Sequence, residues 1–137
     1  MNEFTFYGLD ISEMPDGWRK AFGEEMCREI AEELDRSGLR DGYQILQIKE
    51  KFGALTWYDH GGNLQINAIK NKYRQRSIHT CIRCGVPATR VTTLWISPYC
   101  DACVPTWGGG NKSDTVSLED YLEEAQGGGV AVTSWQI

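Results

Sequence analysis

At 137 residues the chain is the size of one domain, long enough to bury a modest core and too short for two independent ones. Hydrophobic residues make up 41% and aromatics 11%, which excludes a disordered chain, and no apolar run approaches the ~20 residues of a membrane-spanning helix. The formal charge of -5 is unevenly spread: residues 1–41 carry eleven acidic and five basic side chains, 42–103 three and eight, and 104–137 five and one. A basic middle section therefore lies between two acidic ends. The opening MNEFTFYGLD has no basic or apolar leader pattern, so the expected location is cytoplasmic.

After an extended FTFYGL, the spacing predicts an amphipathic helix over residues 15–39. Trp18, Phe22, Met26, Ile30 and Leu34 recur every four residues and form one apolar stripe, with acidic side chains opposite. Asp16 is the expected N-cap, and Gly38 the expected left-handed stop. Two β-rich runs follow, Tyr43 to Lys49 and Ala54 to Tyr58. They are expected to pair through a Glu50-Lys51-Phe52-Gly53 connection, with Asp59 and His60 as a polar hairpin end. Gly61 and Gly62 precede a second helix, about Leu64 to Ile78, with Ile66, Ile69 and Tyr73 on one face and Lys70, Lys72, Arg74 and Arg76 crowding its C-terminal half.

That helix leads into CIRCGVPATRVTTLWISPYCDAC. Cys81-x2-Cys84 and Cys100-x2-Cys103 have the spacing of a four-thiolate zinc site, in which both sulfurs of each pair reach one tetrahedral ion at about 2.3 Å. Gly85 suits the sharp turn after the first pair, and the β-branched insert suits a strand or tight hairpin. Four thiolates fill zinc's coordination sphere and leave no position for water or substrate, so the ion is expected to be structural. His79 reads as a neighbour of the site. Cys27, beside Glu24, Glu25 and Glu29, reads as a half-buried, unreactive helix thiol.

Beyond Cys103, Pro105 and TWGGGNKSD predict a loop. Ser117-x-x-Asp120 caps a short third helix that Gly127 to Gly129 end, and VAVTSW (130–135) can supply a last strand. The expected architecture is a small single α+β domain with two main helices, a β-hairpin and a zinc-ribbon-like lobe. Residues 1–80 form the helix-hairpin-helix core, 81–107 the zinc lobe packed on it, and 108–137 an acidic C-terminal segment with a short helix.

Two binding surfaces emerge. Lys70, Lys72, Arg74, Arg76, Arg83 and Arg90, interleaved with Tyr73 and Trp95, have the composition of a phosphate-contacting and stacking surface. A zinc tetrathiolate adds about -2, however, which takes the chain to about -7 and disfavours long-range attraction to nucleic acid. The acidic helix, with Glu24, Glu25, Glu32 and Glu33, and the aromatic residues Trp57, Trp95, Trp107 and Trp135 suit a protein partner instead. No nucleophile elbow, P-loop, dinucleotide fingerprint or His-Glu-x-x-His motif is present. The Asp59-His60 pair precedes both cysteine pairs, whereas HNH-type nucleases place such a pair between them, and the insert between the cysteine pairs holds no histidine. The expectation is a binding protein, not an enzyme.

The stretch KEKFGALTWY (Lys49 to Tyr58), followed by a helix and CIRCG (Cys81 to Gly85), resembles small bacteriophage and prophage proteins that carry a Lys-Glu-Lys-Phe-Gly hairpin ahead of a two-knuckle zinc site. The resemblance covers roughly residues 15–103. It implies structural Zn2+ and a bacterial cytoplasmic setting. It also implies action by binding a host protein or complex, such as a defence complex of the kind anti-CRISPR proteins inhibit. The alternative reading is a zinc-ribbon nucleic-acid-binding protein using the basic helix and ribbon.

Overall fold

A computed structural model describes residues 3–93, 95–104 and 115–128, with the side chains of the last helix described as far as Glu124. The expected loop from Pro105 to Asp114 and the expected strand at 130–135 lie outside these residues. The chain opens with a short antiparallel pair, β1 (Thr5–Phe6) and β2 (Leu9–Asp10). The first long helical segment has three parts: α1 (Asp16–Trp18), a π-helical turn over Arg19–Gly23, and α2 (Glu24–Ser37). An α-helix turns once per 3.6 residues, so a stripe of period four would drift round its surface. The wider π turn between Trp18 and Glu24 offsets that drift. Trp18, Phe22, Met26, Ile30 and Leu34 are all buried on one side as a result.

Gly38 ends the helix in the left-handed conformation (φ 73°), as its position predicts. Asp16 does not cap the start. Pro15 holds the cap position, and Asp16 lies inside the first turn with its carboxylate 2.7 Å from Arg19 Nη2. After a 3-10 turn at Arg40–Gly42, β3 (Gln44–Lys51) pairs antiparallel with β4 (Ala54–His60). The connection is only Phe52-Gly53, because Glu50 and Lys51 stay in the ladder opposite Leu55 and Ala54. Asp59 and His60 form the last rungs of β4, opposite Ile45 and Gln44, and so lie at the open, polar end of the hairpin as expected, inside the strand.

Asn63 caps α3 (Leu64–Ile78) by accepting from the Ile66 N–H at 2.8 Å. As expected, Ile66, Ile69 and Tyr73 face inward, meeting the α2 stripe and Trp57 in the main core. A second apolar cluster, built from Ala54, Ile78, Ala88, Val91 and Leu118, joins the turn end of the hairpin to the cysteine-bearing lobe.

The lobe carries a three-stranded sheet ordered β6-β5-β7, from β5 (Arg90–Thr92), β6 (Pro98–Tyr99) and β7 (Thr115–Ser117). The final helix, α4 (Leu118–Gly128), is set by Ser117, whose Oγ accepts from the Asp120 N–H at 3.1 Å. At eleven residues this helix ranks with α2 and α3, so the domain has three main helices, not two. Its stability comes from the seating of Leu118 against Val91, with Tyr121 and Leu122 alongside, more than from its own acidic sequence. No helix among the described residues is long and apolar enough to cross a membrane.

Candidate metal centre and the surfaces around it

Cys81, Cys84, Cys100 and Cys103 bring their sulfurs within 4.8 Å of one another, with Cys84 Sγ and Cys100 Sγ 3.6 Å apart. A tetrahedral ion with metal–sulfur distances near 2.3 Å needs sulfur separations of about 3.8 Å, so the cluster fits such an ion. Each Cys-x2-Cys pair is folded by a backbone turn: Gly85 N–H donates to Cys81 C=O at 3.0 Å, and Cys103 N–H to Cys100 C=O at 3.1 Å. The lobe's two ends are tied together by Ile82 N–H to Pro98 C=O (2.9 Å) and Thr89 N–H to Tyr99 C=O (2.9 Å). His79 is exposed at the end of α3 and takes no part in the cluster.

Burial works against the Cys81 thiolate, but backbone hydrogen bonds from Cys100, Cys84 and Arg83 outweigh it and bring the group down to about 7. Burial, reinforced by the surrounding sulfurs, pushes Cys103 up to about 12. Four thiolates this close repel one another, and a divalent cation would relieve that repulsion. The donor set therefore suits a thiophilic ion. Four sulfurs would suffice to complete a tetrahedral ion's coordination, and no further Asp, Glu or His is grouped with them among the described residues. Cys27, by contrast, is fully buried, beyond the half-burial expected. Burial, then the charge of Glu24, raise it to about 12.

The lobe is locked to the core at a glycine-lined seam. Gly17 N–H donates to Ile82 C=O at 2.8 Å, and Trp18 Nε1–H reaches Thr80 C=O at 3.0 Å. A Cβ on Gly17 would lie 2.2 Å from Cys81 O, and one on Gly85 would lie 2.8 Å from Gly17 O. The first turn of α1 thus sits directly against the first cysteine knuckle. Sequence reasoning missed Gly17, although a glycine inside the first turn of a strongly amphipathic helix is itself a signal of close approach.

The basic residues do not form one surface. Lys72 is hydrogen-bonded to Glu29, and Arg76 Nη1 lies 3.0 Å from Glu25 Oε2, so both meet the acidic helix. Lys70 Nζ sits 2.9 Å from Asp59 Oδ1, and Arg74 lines a recess beside it. Arg90 fastens β7 to β5, donating to Thr115 Oγ1 and C=O at 2.9 to 3.1 Å. Arg83 lies exposed on the first knuckle.

The acidic set is similarly divided. Glu25 accepts from Tyr73 Oη–H at 2.8 Å, Glu32 pairs with Arg28, and Glu33 is buried between Arg36 and Asn63. Glu24 is exposed.

At the other end of the hairpin, Phe52 and Trp95 project on either side of a cleft of about 300 Å³ floored by Ile96. Trp95 is 66% exposed and Phe52 49%, although both are large and apolar. Glu50 holds this region together, accepting from Trp95 Nε1–H at 2.5 Å and from Ser97 Oγ–H at 2.9 Å. Phe52 adopts φ 53° and Gly53 φ 83°, left-handed values at both central residues, as in a type I′ two-residue hairpin turn. Asn or Asp is the usual occupant of the first position, and a phenylalanine there carries strain. Comparison of the chain with protein-family models, with curated proteins and with solved structures finds no match in any of the three.

Proposed function

We propose that this chain is a non-enzymatic binding protein. Its four-cysteine centre holds structural zinc, and its exposed Phe52–Trp95 cleft docks a protein partner. The observation that carries the reading is Phe52, a large apolar side chain kept exposed and in left-handed backbone geometry at a turn where asparagine would be less strained. Strain maintained at an exposed position points to a role for the side chain itself. Trp95 across the cleft is of the residue type that most often anchors interfaces, and its hydrogen bond to Glu50 reduces the entropy lost on docking. The resemblance of Lys49 to Tyr58 and Cys81 to Gly85 to phage proteins favours a bacterial host protein as the partner, with inhibition of a defence complex as one such role.

The nucleic-acid alternative is less well supported. Lys72, Arg76 and Arg90 each have a partner within the chain, which weakens the case for a continuous basic track among the described residues. The acidic face is also a weaker candidate than its composition suggests, since Glu25, Glu32 and Glu33 all have internal partners.

The reading is tested with Phe52→Asn and Trp95→Ser as baits in affinity purification from bacterial lysate, beside the unaltered chain. Phe52→Asn should unfold at slightly higher temperature, because it relieves turn strain of roughly 1 kcal/mol. Both variants should lose whatever protein the unaltered chain retains. Undiminished capture by both would refute the proposal.

A further inference from the structure

A second recess, of about 360 Å³, lies between β4 and α3, bounded by Thr56, Trp57, Tyr58, Asn67, Lys70, Asn71 and Arg74. Asn67, Lys70, Asn71 and Arg74 follow one another at intervals of three, one and three, the spacing of a single helix face. The four cations of α3 are thereby sorted. Lys72 and Arg76 turn toward the carboxylates of α2, whereas Lys70 and Arg74 turn into the recess.

No carboxylate lines it. The nearby Asp59 takes one hydrogen bond from Lys70 Nζ on Oδ1 and one from Tyr43 Oη–H on Oδ2 (2.8 Å). An ammonium has three donors, so the contact with Asp59 orients Lys70 without exhausting it. Lys70 also lies 5.4 Å above the Trp57 ring, and Lys49 lies 5.4 Å from the Tyr58 ring at the rim. The site thus combines the Arg74 guanidinium, the Asp59-paired Lys70 ammonium, two carboxamides and the Thr56 hydroxyl around one pocket, on a chain whose formal charge is -5. Guanidinium and ammonium groups flanked by amide donors are the chemistry of oxyanion recognition.

We infer that the recess between β4 and α3 is a binding site for a phosphate group, either free or carried by a nucleotide. It accepts one small ligand, in contrast to a phosphate track, and is independent of the Phe52–Trp95 cleft.

The test titrates the full, metal-loaded, 15N-labelled chain at low ionic strength with inorganic phosphate and, separately, with adenosine 5′-monophosphate, followed by heteronuclear NMR. Saturable shifts centred on Asn67, Lys70, Asn71 and Arg74 are expected. Asn71→Asp, at an exposed position and therefore harmless to folding, should weaken binding at least tenfold, and Arg74→Gln should do likewise. Lys72→Gln, on the α2 side, should change it less than twofold. Tighter binding of the nucleotide than of phosphate identifies a nucleotide site, and equal binding identifies free phosphate; either supports the inference. Absence of saturable shifts with both probes would overturn it, as would shifts that persist unchanged in Asn71→Asp.

Discussion

Gly17 and Gly85 do for this molecule what no larger residue can. They let the backbone of the first helical turn approach the first cysteine knuckle until Gly17 N–H bonds Ile82 C=O at 2.8 Å. In Gly17→Ala the new methyl group would meet Cys81 O at 2.2 Å and Ile82 backbone atoms at 2.6 to 2.7 Å. These are main-chain atoms that cannot swing aside, so the lobe must separate from the helix. A loss of about 1 to 3 kcal/mol is expected from such overpacking, measured by urea unfolding of the metal-loaded chain. Unchanged stability would mean that the seam is not a close contact in solution. Trp18 next to it gains its buried hydrogen bond to Thr80 only when the seam is closed, so the effect extends into the main core.

Between elements, the α2–α3 contact is polar at its edge and apolar at its centre. Tyr73 packs against Phe22, with ring centroids 5.3 Å apart, while its single hydroxyl proton is shared between the Glu25 and Glu29 carboxylates. Burial works against the Glu29 carboxylate, but the hydrogen bonds from Lys72 and Tyr73 outweigh it and hold its pKa below the ordinary value. A carboxyl group depressed in the folded state contributes stability that is complete above its unfolded pKa of about 4.3 and is lost as pH falls through the lower folded value. The urea midpoint should therefore fall on acidification from pH 5 to pH 3. Glu29→Gln should fall less steeply, with the remainder due to Glu33 and Asp35, which Arg36 and Arg40 also hold below their ordinary values. An identical pH profile in the variant would contradict this assignment.

How much of this was legible in the sequence depends on the range of the forces involved. The long helix, its Gly38 stop and the span of α3 follow from local periodicity and capping, and they agree with the structure. The hairpin and its turn glycine, Gly53, follow from local cues, but the length of the connection does not. Glu50 and Lys51 look like turn residues, yet Glu50 is held in the strand region by Trp95 and Ser97 from the lobe, partners far away in the chain. The last helix looked minor for a similar reason. Its anchor, Leu118, sits on Val91, and its preceding strand pairs with β5. The cysteine cluster was readable because two short motifs carry it. Trp95, Lys70 and Arg74 stand out by residue type, but the Phe52–Trp95 cleft and the β4–α3 recess in which they sit do not, since each is created by tertiary packing of residues far apart in the chain.

For the whole molecule, the second apolar cluster of Ala54, Ile78, Ala88, Val91 and Leu118 is small for the lobe it must support. Structural zinc in small domains contributes on the order of 10 kcal/mol at neutral pH, enough to decide whether such a lobe folds. The lobe in turn positions Trp95 and, through Ser97, the Glu50 carboxylate beneath the hairpin tip. A metal ion at the cysteine cluster would thus be coupled to the shape of the Phe52–Trp95 cleft through these contacts.

That coupling makes metal content the most direct measurement of the account. Native mass spectrometry of the purified chain should show one zinc ion per 137-residue protein, bound with release of thiol protons. Cys81→Ser or Cys100→Ser should abolish the bound species and unfold at least the lobe. A fully folded chain that carries no metal and leaves all four thiols free would contradict the central claim.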